Sequence, residues 1–352
     1  MSLPLPEIAP HLPGALVPEP SWPALRAAAG DLPDVASTFY LERPLGAGAD
    51  RVDLLACVAA EGGAPERLAA WCLRRGWERL HAFAEEWARP GTLLHRQVPF
   101  VWMEMDAPYQ RPNLLLCTDP SPLERYRGPQ PEIETVAARE ALEEVSERNR
   151  APRPETLEAW RLDLVERAAE LLLGAPLSRE ALSAVRTCHQ ALPPGGSIVH
   201  LSIMSARSPA ALKLNAWLPR ERLRGYLRDI GWPGDPDAIE AGVDRFAPGS
   251  PVVRLDVTPG SARLGLELFR PEERRRDPSR DALLDTCLAA GLCTPEQRAA
   301  LRGWPGSERV RGPGGEWPAR VSRWTDAKIV FHGGELLAAK AYLGVSSHFS
   351  LC

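Results

Sequence analysis

The sequence predicts an α+β fold: a ten-stranded antiparallel β-barrel ringed by helices and built from repeated ααββ units. Three observations predict it. Strand-like runs come in five pairs, each joined by a short turn. Stretches with leucines, tryptophans and charges at helical spacing fall between the pairs. Each strand also alternates apolar with polar residues, giving it one face for a helix layer and one polar face. Strands joined alternately by turns and helices most economically form one antiparallel sheet with its helices on one side, and closure removes the sheet's edges. A length of 352 residues would by itself suggest two domains. The repeated element order instead assigns 21–352 to a single barrel domain behind a Pro-rich arm at 1–20.

The elements follow in order. Trp22 to Gly30 is a short helix. STFYLERPL (37–45) and RVDLLACVA (51–59) are strands joined by GAGAD. PERLAAWCLRRGWERLHAFAEEWA (65–88) has helical periodicity, and the glycine near its middle predicts a division into two helices. Strands VPFVWMEMD (98–106) and NLLLCTD (113–119) come next. A proline-rich loop near 120–131 precedes helices at about 132–148, 154–173 and 178–191. SIVHLSIMS (197–205) pairs with ALKLNAWL (211–218) and, after further helices, VVRLDVT (252–258) with ARLGLELF (262–269). Helices at 279–290 and 294–302 lead to AKIVFHGGELLAAKAYLG (327–344), a hairpin about its Gly-Gly turn. The repeat is one of element order, not of letters.

Composition narrows the functional classes. A net charge of −4 argues against a general nucleic-acid binder. No run reaches 18 apolar residues, so no membrane span is expected. The first 20 residues lack a basic n-region and are broken by prolines, unlike a secretory signal. Seven scattered cysteines without a C-x-x-C pair suit reduced thiols in a cytoplasm and predict no structural zinc. Walker A, G-x-G-x-x-G, H-E-x-x-H and Asp-rich D-D-x-x-D motifs do not occur, and HGG at 332–334 lacks a G-x-S-x-G partner. RPEERRRDPSR (270–280) reads as a solvated loop, and His189, His200 and Cys188 show no ligand spacing.

Opposite the apolar faces lie Tyr40 and Glu42; Trp102, Glu104 and Asp106; Lys213, Asn215 and Trp217; Arg254 and Asp256; Arg263 and Glu267; Lys328; Lys340 and Tyr342. In a closed barrel these side chains point into a lumen wide enough for a ligand. The same alternation fits the solvated face of an open sheet. If they converge, Lys and Arg suit a diphosphate, aromatic faces suit a carbocation, and a carboxylate can take a proton.

This order and these faces resemble the ABBA, or PT-barrel, prenyltransferases, most closely the cyanobactin-type peptide prenyltransferases. YLERPLGAGADRVDLLACV (40–58) and LKLNAWLPRERLRGYL (212–227) carry the resemblance. It implies Glu42 as general base, and Glu104 on the inward face of 98–106 is the next candidate. It also implies Arg51, Lys213, Lys340 and Tyr342 as diphosphate ligands, with Arg254 and Lys328 added by strand position; the inward faces add Trp102 and Trp217 against the allyl group or acceptor. Asn215 and Trp217 depart from the family's more polar pattern, and Arg254 and Lys328 match by strand position only. The implied activity moves a C5 or C10 allyl group from dimethylallyl or geranyl diphosphate to a peptide side chain or small aromatic acceptor. No tightly bound cofactor is implied, although Mg²⁺ could accompany the diphosphate through water. The rival expectation is a non-catalytic or repurposed barrel that binds a peptide or small ligand.

Overall fold

In the computed structural model, residues 5–48, 50–119, 157–268, 278–311 and 318–349 are described. The expected helix at 132–148, the proline-rich loop before it and most of the arginine-rich segment after 269 lie outside them. Eleven strands form one sheet: β1 Ala36–Pro44, β2 Asp53–Ala59, β3 Phe100–Met105, β4 Asn113–Cys117, β5 Ser197–Met204, β6 Ala211–Pro219, β7 Val252–Val257, β8 Arg263–Leu268, β9 Gly306–Arg311, β10 Pro318–His332 and β11 Glu335–Phe349. All pairings are antiparallel, and β11 returns to pair with β1, so ten strands close into a barrel. The eleventh, β9, lies outside the ring against the first half of β10.

The helices are α1 Leu5–Ile8, α2 Trp22–Asp31, α3 Ala64–Arg74, α4 Glu78–Ala88, α5 Leu93–Gln97, α6 Leu157–Leu173, α7 Arg179–Gln190, α8 Leu223–Asp229, α9 Pro236–Phe246, α10 Pro278–Ala289 and α11 Pro295–Gly303. The glycine within 65–88 does end a helix. Gly76 has φ 69°, its N–H bonds Leu73 O, and Trp77 N–H bonds Cys72 O, a Schellman stop that turns the chain into α4. Buried Leu68, Trp71 and Cys72 on α3, and Leu80, Phe83 and Trp87 on α4, pack toward the outer faces of the strands. The apolar core is therefore the annulus between strands and helices, which leaves the strands' polar faces to the lumen.

Expected and observed strand ends differ by one or two residues in most cases, because fraying ends are set by tertiary pairing. The terminal hairpin differs more. Each of its arms runs fifteen residues, not the six and ten read from 327–344. Gly333 and Gly334 form its two-residue turn with φ 63° and 107°, both in the region that favours glycine.

Candidate functional site

Residues opposite one another in antiparallel strands point to the same side, so the pairings define the inner wall. One row runs Trp217, Arg254, Glu267, Lys328, Lys340 across β6, β7, β8, β10 and β11. Another runs Asp326, Tyr342, Glu42, Asp53, and a third Trp324, Gly344, Tyr40, Leu55, Glu104, Asn113. Lys213 is opposite Ser202, and Trp102 is opposite Cys57 and Leu115. Nine of the ten candidate residues therefore share the inner face. Arg51 is the exception: it precedes β2, is half exposed, and forms an ion pair with Asp53 at 3.2 Å. Arg263, at the start of β8, is exposed.

The inward bases are already partnered. Lys340 Nζ donates to Glu42, and Lys328 Nζ donates to Asp256 and lies 3.0 Å from Glu267. Lys213 Nζ is 3.5 Å from Asp256. Asn215 extends the chain, donating to Glu267 and accepting from Trp217 Nε1 at 2.9 Å, while the Arg254 guanidinium lies 3.9 Å over the Trp217 ring. Burial alone would raise the Glu42 carboxyl, but the Lys340 and Lys328 charges and a Tyr342 hydrogen bond hold it well below the usual range. The Asp256 carboxyl is likewise depressed against its burial, by Lys213 and Lys328. Lys328 is raised despite burial because Asp256 and Glu267 flank it. Two carboxyls go the other way. Burial and the Glu42 charge raise Asp53 to about 6, and the same two causes raise Glu104.

An aromatic cluster separate from the main core lies within the barrel: Tyr40, Leu55, Trp324 and Tyr342, with partly buried Trp102 against them. Tyr40 sits 5.3 Å from Trp102, 5.6 Å from Trp324 and 6.0 Å from Tyr342, ring centre to ring centre, the last two edge to face. Such contacts are favourable beyond their buried area. Tyr40 Oη and Trp324 Nε1 both donate to Asp326, at 2.7 and 3.0 Å, which ties the polar edges of two rings to a buried carboxylate.

Sequence reasoning missed Trp324, Asp326, Asp53, Asn113 and Arg207. The first two had a signal: in WTDAK, positions 324 and 326 share the period-two face of Lys328, but the strand was started at 327. Arg207 had none. It sits on the β5–β6 turn and reaches Asp106 through Nε and Nη2, each at 2.7 Å, and Glu104 through Nη2. The fold and wall together define a class: a closed, helix-ringed antiparallel barrel whose lumen combines paired charges with an aromatic cluster. No protein-family model matches the chain, and no curated protein matches it either. Among the described residues no helix is long and apolar enough to cross a membrane.

Proposed function

We propose that this barrel is a cytoplasmic prenyltransferase that moves a C5 or C10 allyl group from its diphosphate to an electron-rich acceptor. A ribosomal peptide side chain is the favoured acceptor, with a small indole or phenol next. The observation that carries this reading is the adjacency of aromatic cluster and bases on the inner wall: Tyr342 and Lys340 are two residues apart on β11, and Lys328 is opposite Lys340. In the reaction, the allylic C–O bond breaks and the diphosphate leaves with the electron pair. Lys213, Arg254, Lys328 and Lys340 hold it, with Arg51 at the rim. Trp102, Trp217 and Tyr342 flank the cation, the acceptor bonds to the cation, and Glu42 or Glu104 takes the acceptor's proton. Among the described residues no group of three or more His, Cys, Asp or Glu is placed to hold a metal; a Mg²⁺ ion would accompany the diphosphate through water.

One observation favours a second reading, in which the barrel binds a peptide or small ligand without transferring anything. The described inner wall carries Glu42, Asp53, Glu104, Asp256, Glu267 and Asp326 against Lys213, Arg254, Lys328 and Lys340. A diphosphate must therefore compete with carboxylates for its lysines. Calorimetric titration with dimethylallyl and geranyl diphosphate, with and without Mg²⁺, separates the two. Saturable heat, lost in Lys328→Ala, followed by allyl transfer to a Tyr- or Trp-containing peptide, is the expected outcome. Neither heat nor thermal stabilisation at millimolar diphosphate would shift the assignment to the second reading.

A further inference from the structure

The turn between β5 and β6 is fastened to the β3–β4 hairpin at three successive residues. Ser205 O accepts from the Arg111 guanidinium, Ala206 N–H donates to Asn113 Oδ1 at 2.9 Å, and Arg207 chelates Asp106 and reaches Glu104. Asn113 Nδ2 also donates to Asp106 at 3.3 Å, so the two loops share one network. The turn itself is exposed, whereas Glu104 is only 7% exposed. The Arg207 guanidinium thus enters the chamber wall from outside the barrel's own strands.

Glu104 sits in mixed company. Glu42 faces it from β1, Asp53 lies one inner position further along β2, and Asp106 directly follows its strand. Lys213 on β6 and Lys340 and Tyr342 on β11 act on it from across the lumen, and Asn113 is its neighbour on β4. Burial and Glu42 favour its protonated form, and Arg207 is the strongest influence against it. For proton acceptance this matters in a definite way. A carboxylate held far down, like Glu42 beside Lys340, is a feeble base, whereas one of high proton affinity is effective only if something keeps it ionised.

We infer that Arg207 is a positioning residue for the transfer reaction, holding Glu104 as the ionised proton acceptor and, through the same planar fork, keeping the β5–β6 turn shut over that end of the barrel. Its role in turnover rests on the proposed function; its hold on Glu104 and on the turn does not.

The test uses the full chain and three variants. In Arg207→Gln, the acid limb of the kcat/KM profile should move up by about one to two pH units, the usual effect of removing an adjacent opposite charge. The infrared band of a protonated carboxyl, identified by its loss in Glu104→Gln, should shift its titration equally. Arg207→Lys should return both near wild type, because the charge is kept. Amide exchange at residues 205–207 should nonetheless be faster than wild type in Arg207→Lys, because an ammonium lacks the planar fork that grips Asp106 through two nitrogens. An unmoved infrared titration in Arg207→Gln overturns the assignment. If that variant does not fold, wild-type exchange at Ala206 in Arg207→Lys overturns it instead, and faster exchange confined to the turn supports it. A wild-type chain that transfers nothing while its Glu104 band titrates as described removes the prenyltransferase reading and leaves Arg207's hold on Glu104 standing.

Discussion

Lys340 and Glu42 form a pair in which the carboxylate is almost wholly buried. Breaking such a pair from one side strands the other charge, at a cost of about 3 kcal/mol or more. Glu42→Gln should therefore lower stability in urea unfolding at pH 7, and Glu42→Gln with Lys340→Met should regain part of it. The folded-state pKa of Glu42 is depressed, so its contribution is present above the unfolded carboxyl value near 4.3 and is lost as pH falls below it. The variant and wild type should converge in that acid range. Asp53 has the opposite sign. Its carboxyl is raised to about 6 and its residue is fully buried, so the folded protein loses stability as pH rises from about 4 to 6. Asp53→Asn keeps an acceptor for Ala107 N–H. It should be the more stable protein above pH 6, by on the order of 3 kcal/mol, with no difference near pH 4; a pH-independent difference in thermal unfolding would refute this. Neither sign was legible in the sequence, because each depends on which charge lies across the strand, a matter of register.

At the scale of elements, β10 is the strand that the sequence shows least completely. Its outer edge is paired twice: Ala327 to His332 with β8, and Pro318 to Arg323 with β9. Between these, Trp304 Nε1 donates to Trp324 O at 2.8 Å, supplying a partner where the β8 and β9 pairings leave off. The period-two face of Trp324, Asp326 and Lys328 was readable, but β9 was not, since a strand outside the ring has no place in the repeated order. Backbone must also come close to the aromatic cluster. A Cβ on Gly344 would lie 2.1 Å from the Trp324 indole, and a rigid ring wedged between Tyr40 and Asp326 has little room to yield. Gly344→Ala should cost roughly 1–3 kcal/mol and shift the tryptophan emission. Unchanged emission and stability would show that the cluster is looser than its contacts indicate.

At the scale of the molecule, closure makes the chain's last strand the partner of its first. β11 pairs with β10 on one side and with β1 on the other, so removing residues 335–349 would open two long edges at once. The truncated chain is expected to show no cooperative unfolding transition, whereas the full chain should lose strand and tryptophan signals together. The sequence by itself determined the order of the ten ring strands, the helix division at Gly76, the Gly333–Gly334 turn and which strand faces are polar. Those properties follow from local periodicity and from the backbone freedom of glycine, and such information is carried by neighbours in the chain. The tertiary structure decided that the sheet closes and that every inward lysine meets a carboxylate. It also decided that Glu42 and Glu104 differ in proton affinity and that Arg207 enters the wall from a turn. These depend on cross-strand register and on contacts between residues 43 to 298 positions apart, where Coulomb forces in a buried chamber, not sequence periodicity, set the outcome.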